Sequence, residues 1–180
     1  MTNLTITAVE VVPYRIPYTK PLRFASGDVT HADHVLVRVH TDAGITGTAE
    51  APPRPFTYGE TQRGIVAVIE DVFAPQLTGL TLLEREVAVA RMARTVGNPT
   101  AKAAVDMAIW DALGKTLNLS VSELLGGYTD RLRVSHMLGF DEPAAMVDEA
   151  QKMRDVHGIR TFKVKVGRRP VDLDVTVVRA

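Results

Sequence analysis

"TFKVKVG", Thr161–Gly167, sets two lysines, Lys163 and Lys165, two residues apart in a run that otherwise reads as a β-strand. In a strand that spacing puts both ammonium groups on one face, with Phe162, Val164 and Val166 on the other. Two readings are open. The lysines can line the wet face of an edge strand, where they discourage pairing with another chain. Alternatively they share a confined site, where repulsion and partial desolvation ease the loss of a proton and leave a competent general base.

The flanking sequence bears on the choice. "LRVSHMLGF" (132–140) reads as a short strand, "DEPAAMVDEAQKMRDVHG" (141–158) as an acid-started helix stopped by Gly158, and "IRTFKVKVG" (159–167) as a second strand. Strand, helix and strand with short joints make a βαβ unit, so the strands pair in parallel. The lysines then lie at the C-terminal end of a parallel strand, where such folds assemble their sites. "RRPVDLDVTVVRA" (168–180) reads as a connection followed by the start of another helix. A single βαβ unit cannot close a barrel or cover both faces of a sheet, so residues 131–180 are expected to open a second, truncated domain.

Towards the N-terminus the pattern differs. "LTITAVEVVPYRI" (4–16) and "HVLVRVH" (34–40) alternate apolar and polar residues, and "TDAGITGTAEA" (41–51) supplies a turn and a third strand, an antiparallel meander. "PYTKPLRFASGDVTHAD" (17–33) and "APPRPFTYGET" (51–61) are rich in Pro and Gly and read as long recognition loops. From Thr61 the period becomes helical, with Ile65, Val68, Ile69, Val72 and Phe73 on one stripe, and Pro75 and Gly79 are expected to stop the helix. A second helix is expected over about 82–95. A third, "PTAKAAVDMAIWDALGKTLN" (99–118), carries Val105, Ala108, Ile109, Ala112 and Leu113 as its apolar stripe. Three strands and three helices give an α+β domain over residues 1–130. In the third helix Asp106 and Asp111 are five apart and share a face too poorly for a metal pair, so both are assigned to structure.

Composition limits the partners. The 180 residues are 46% hydrophobic and 23% charged, ordinary for a globular protein, and 21 basic residues balance 21 acidic ones. A net charge of zero offers no field for nucleic acid or an anionic membrane. The absence of cysteine excludes disulfides and thiolate chemistry. No signal-like start and no apolar run of membrane length is present, so a cytoplasmic protein is expected.

Four ordered motifs carry a resemblance: "TDAGITGTAEA", "PFTYGET", "AAVDMAIWDALGK" with "LNLSVSELLGG", and "TFKVKVG". Together they resemble the mandelate racemase and muconate lactonizing enzyme family of the enolase superfamily, over essentially the whole chain. In that superfamily a Lys or His base works beside a metal ion that stabilises an ene-diolate. The resemblance implies an α+β capping domain followed by the start of a (β/α) TIM-type barrel. It implies Lys165 as the general acid/base and Lys163 as the neighbour that tunes it. Loops around Arg23 to Thr30 and Pro52 to Tyr58 would close over the substrate, with Arg23, Phe56 and Tyr58 as contacts, and Met137 would offer an apolar one. His136 faces the other way and is assigned to structure.

The implied chemistry is proton transfer next to a carboxylate, with muconate cycloisomerase favoured and an N-acylamino acid racemase or dipeptide epimerase as the alternative. Mg²⁺ or Mn²⁺ is implied, with ligands beyond Ala180; Asp172 and Asp174 are not promoted to that role. The resemblance also implies a homo-oligomer acting on a small carboxylate. A non-catalytic fragment or interaction module is the expectation of another class, since the ligands for the metal fall outside these residues.

Overall fold

The computed structural model describes residues 4–24, 27–167 and 170–179, with Arg23 and Phe24 described by their backbone alone. By internal contacts the chain divides into two units, residues 1–16 with 32–128 and residues 17–31 with 129–180.

Three strands, β1 (Ile6–Phe24), β2 (Gly27–Thr41) and β3 (Thr46–Ala51), form a sheet in the order β1-β2-β3. β2 and β3 are antiparallel, with Val35 opposite Ala51 and His40 opposite Thr46. Burial alternates along β2 through Val35, Val37, Val39 and Thr41, as a half-buried strand requires. The turn between them places Gly44 at φ 74°, and the Gly44 N–H donates to the Thr41 carbonyl at 3.1 Å.

The sheet's buried face packs on the long helix α4 (Pro99–Leu117), whose Ala101, Ala104, Val105, Ala108, Ile109 and Ala112 are buried. Gly47 of β3 makes the closest approach. A Cβ added there would lie 2.0 Å from the Ala108 carbonyl oxygen and 2.6 Å from the Ala112 nitrogen. Polar bonds flank the contact: the Asp111 carboxylate accepts the Thr48 N–H at 2.7 Å and the Lys115 ammonium at 2.6 Å, and Lys115 also donates to the Thr46 carbonyl at 2.9 Å.

Residues 17–33, expected as a loop, belong almost entirely to β1 and β2. Pro13, Pro17 and Pro21 share one parity, so their missing donors fall on the same lateral edge of β1. As an edge strand, β1 can keep its ladder to β2 while that edge stays open. The backbone of Arg23 to Thr30, where described, is therefore strand rather than irregular loop.

Pro75 does not stop its helix either. α1 (Gln62–Ala67) continues through a π-helical segment (Val68–Phe73) into α2 (Ala74–Leu77), with Pro75 in the first turn of α2. Proline removes a donor and crowds the carbonyl four residues earlier. The ladder widens upstream, where the Ala74 N–H reaches the Ile69 carbonyl, and the Gln76 side chain caps the Val72 carbonyl at 2.8 Å. Gly79, at φ 90°, lies just past the end. A 3₁₀ turn (Leu82–Glu84) and α3 (Arg85–Ala93) follow, opened by reciprocal bonds between Thr81 and Glu84. α5 (Val121–Leu124) ends the unit's helices.

The second unit contains β4 (His136–Leu138), α6 (Pro143–His157), β5 (Phe162–Val164) and α7 (Asp172–Arg179). β4 and β5 pair in parallel, as the βαβ pattern predicts. Both strands are shorter than the sequence suggests, and among the described residues each pairs in its sheet with the other alone.

Gly47→Ala should destabilise the first unit by about 1–3 kcal/mol or more, since the added methyl meets backbone that no rotamer change can move. A midpoint in urea within error of the parent would contradict this packing. Asp111 gives a pH dependence. Burial opposes its ionisation, but the Lys115 and Thr48 bonds outweigh that and hold the carboxyl below its ordinary value. Its contribution is therefore complete above the unfolded-state value of about 3.9 and is lost as pH falls through the lower folded value. Asp111→Asn should flatten the acid limb of the unfolding midpoint against pH.

Candidate active site

Parallel register puts His136 beside Phe162, Met137 beside Lys163 and Leu138 beside Val164. The ladder extends by one bond at each end, from the His136 N–H to the Thr161 carbonyl at 3.0 Å and from the Lys165 N–H to the Leu138 carbonyl at 3.2 Å. Leu138, Phe162 and Val164 pack with Met146, Ala150 and Val177, which identifies the helix-covered face. His136 shares that face: its Nε2 lies 2.8 Å from the Glu149 carboxylate, and its ring meets Phe162 edge-on. It is held as a structural residue.

Met137 and Lys163 therefore point away from the helices, and Met137 is 44% exposed. Lys163 is exposed and Lys165 half-buried. Alternation carries Lys165 to the same face as Lys163, just before Gly167 turns the chain at φ 122°. The second unit thus brings Lys163, Lys165 and Met137 to one strand end. Phe56 and Tyr58 stand in the first unit, on the loop after β3, 95% and 55% exposed. The Arg23 side chain lies outside the described residues.

The acidic residues have other work. Arg85 Nη2 donates to Asp106 at 2.9 Å while its guanidinium lies 4.9 Å from the Trp110 ring centroid, and that hydrogen bond raises the Arg85 pKa against the opposing effect of burial. Asp174 is 8% exposed and its carboxylate accepts the Gly167 N–H at 2.5 Å, fastening the segment after β5 to α7. Among the described residues no three His, Asp or Glu side chains come together as a cation would need. These carboxylates do not fit a metal.

One buried acid has no signal in the local sequence. Glu60 accepts the N–H groups of Thr100 at 2.7 Å and Ala101 at 3.1 Å, capping α4 from a distant segment. Asn98, directly before Pro99, stands where a local cap would ordinarily be. It instead adopts φ 56°, and its amide donates to the Val96 carbonyl.

An antiparallel meander with helices, then a parallel βαβ unit with lysines at its strand end, defines the class: a capping domain followed by the opening of a (β/α) TIM-type barrel. Residues 6–126 match the family model described as mandelate racemase / muconate lactonizing enzyme, N-terminal domain. The chain belongs to this family of the enolase superfamily.

Among its relatives, the L-Ala-D/L-Glu epimerase of Bacillus subtilis is 31% identical over 98% of this chain and 48% of its own length. Muconate cycloisomerase 1 of Pseudomonas putida is 34% identical over 100% of this chain and 50% of its own. A crystal structure of muconate lactonizing enzyme from Mycobacterium smegmatis complexed with muconolactone is 74% identical, with a TM-score of 0.93 over 98% of this chain and 48% of that one. The chain spans about half the length of the relatives it matches. Those relatives are isomerases. No helix among the described residues is long and apolar enough to cross a membrane.

Proposed function

We propose that the protein to which these residues belong transfers a proton at a carbon next to a carboxylate, and that its reaction is the reversible lactonisation of cis,cis-muconate. The observation that carries this is the 74% identity, over 98% of the chain, to a muconate lactonizing enzyme solved with muconolactone.

In the lactonising direction one carboxylate oxygen of muconate adds to the double bond conjugated with the other carboxylate. The displaced electron pair forms an enolate there. The Lys165 ammonium then delivers a proton to the α-carbon, and in reverse its amine takes that proton back. Lys163 is the cationic neighbour on the same face, and Met137 an apolar wall beside it. Arg23, Phe56 and Tyr58 are assigned as substrate contacts. Enzymes of this family typically use Mg²⁺; we place the ligands for it, or for Mn²⁺, beyond Ala180. A cytoplasmic homo-oligomer is the setting we infer.

A dipeptide epimerase or N-acylamino acid racemase is the second reading, favoured by the 31% identity to the Bacillus subtilis epimerase. It would use Lys165 for one of two opposed proton transfers.

In the full-length protein, Lys165→Ala should slow exchange of the muconolactone α-proton with solvent deuterium by at least about 10²-fold, the usual scale for losing a general acid/base. Exchange at the parental rate would remove Lys165 from the role. Turnover of dipeptides with none of muconate would choose the second reading.

A further inference from the structure

The segment bearing Phe56 and Tyr58 is pinned at both ends and open between them. Upstream, Ala51 is fully buried in register with Val35, and Pro53 is buried. Downstream, three consecutive residues are each tied to a different element. Glu60, 7% exposed, holds α4 through Thr100 and Ala101. The Thr61 hydroxyl accepts the Gly64 N–H at 3.1 Å and caps α1. Gln62 donates to the carbonyls of Tyr14 at 3.0 Å and His34 at 2.8 Å. Between these anchors residues 55–59 are exposed, held by a turn in which the Thr57 and Tyr58 N–H groups reach the Arg54 carbonyl at 3.0 and 2.7 Å.

A cap for α4 does not by itself require Glu60. A side chain directly before Pro99 ordinarily satisfies such N–H groups, but Asn98, at φ 56°, is turned to the Val96 carbonyl instead. What a carboxylate reaching in from residue 60 adds is a fixed relation between the helix and the loop's trailing end. Gly59, at φ 80°, sits directly before it, so Glu60 is the first fixed point after a permissive residue.

We propose that Glu60 is a positioning residue, whose bonds to the first turn of α4 set where Phe56 and Tyr58 are presented to the substrate. This rests on the assignment of those two aromatics as substrate contacts. Losing the anchor leaves the chemistry of Lys165 intact and allows residues 55–59 to sample open positions, so binding weakens before turnover does.

Two readouts on the full-length protein test this. The first is limited chymotrypsin cleavage after Phe56 and Tyr58, which follows loop opening whatever the substrate. Glu60→Gln keeps the size of the side chain but replaces one acceptor by a donor, and should raise the cleavage rate roughly tenfold, the effect of losing a charge-assisted bond. Asp111→Asn, which weakens the attachment of α4 far along the helix, should leave that rate within about twofold of the parent. The second is steady-state kinetics with muconate: Glu60→Gln should raise KM several-fold with kcat within about twofold, and Glu60→Asp should restore part of the loss.

Unchanged cleavage in Glu60→Gln, or equal acceleration in Asp111→Asn, overturns the positioning role. Faster cleavage with unchanged KM overturns its link to substrate. If Phe56→Ala and Tyr58→Ala then also leave KM unchanged, the fault lies in the assignment of the aromatics rather than in the anchor.

Discussion

The approach of Gly47 to the backbone of α4 is the constraint on which the first unit depends. Helices usually meet sheets through interleaved side chains. Here a missing Cβ on the strand and small side chains at Ala108 and Ala112 let the two backbones touch. At that separation side chains of the helix reach main-chain groups of the strand, as Asp111 does at Thr48 and Lys115 at Thr46. β3 is an edge strand with one partner in the sheet. The helix supplies the fastening that a further strand would otherwise give, and it fixes β3 along its length as well as across it.

The Gly47 contact itself propagates into the loop. β3 delivers the chain to residue 52 from a point set by Ala108 and Ala112, and Glu60 returns it to the first turn of the same helix at Thr100 and Ala101. One rigid element therefore sets both ends of the segment that carries Phe56 and Tyr58. The Arg85–Asp106 pair with the stacked Trp110 ties α3 to α4 from another side. Polar residues in this unit thus act mainly as clamps between elements whose apolar faces already match.

The meander, the helix periods and the parallel βαβ unit are legible in the sequence because each rests on local alternation or on a capping residue close by. The faces of β4 and β5 are legible for the same reason: alternation alone separates His136 from Met137 and Phe162 from Lys163. Composition read without topology misleads. Proline in 17–33 suggests a loop, yet proline is compatible with a strand whose donors face an open edge, and edge status is a property of the sheet. Pro75 suggests a stop, but a wider turn upstream absorbs it. Glu60 gives no local sign of its role because its partners lie 40 and 41 residues away and a nearer residue, Asn98, is placed as a cap would be. Non-local bonds of this kind leave no periodic trace.

In the second unit the presentation of the lysines follows from packing that does not involve them. Leu138, Phe162 and Val164 bury against Met146 and Val177, and a slip of one residue would exchange Leu138 for Met137 in β4, or Phe162 and Val164 for Lys163 and Lys165 in β5. Burying an ammonium without a partner costs far more than the apolar contacts return, so the facing of β5 is strongly set. Asp174 reinforces it by holding Gly167 just past the end of β5. The core of the unit thus aims Lys163 and Met137 at the opposite side, and Lys165 follows by alternation. A mutation that loosens the helix face would misplace the lysines without touching them.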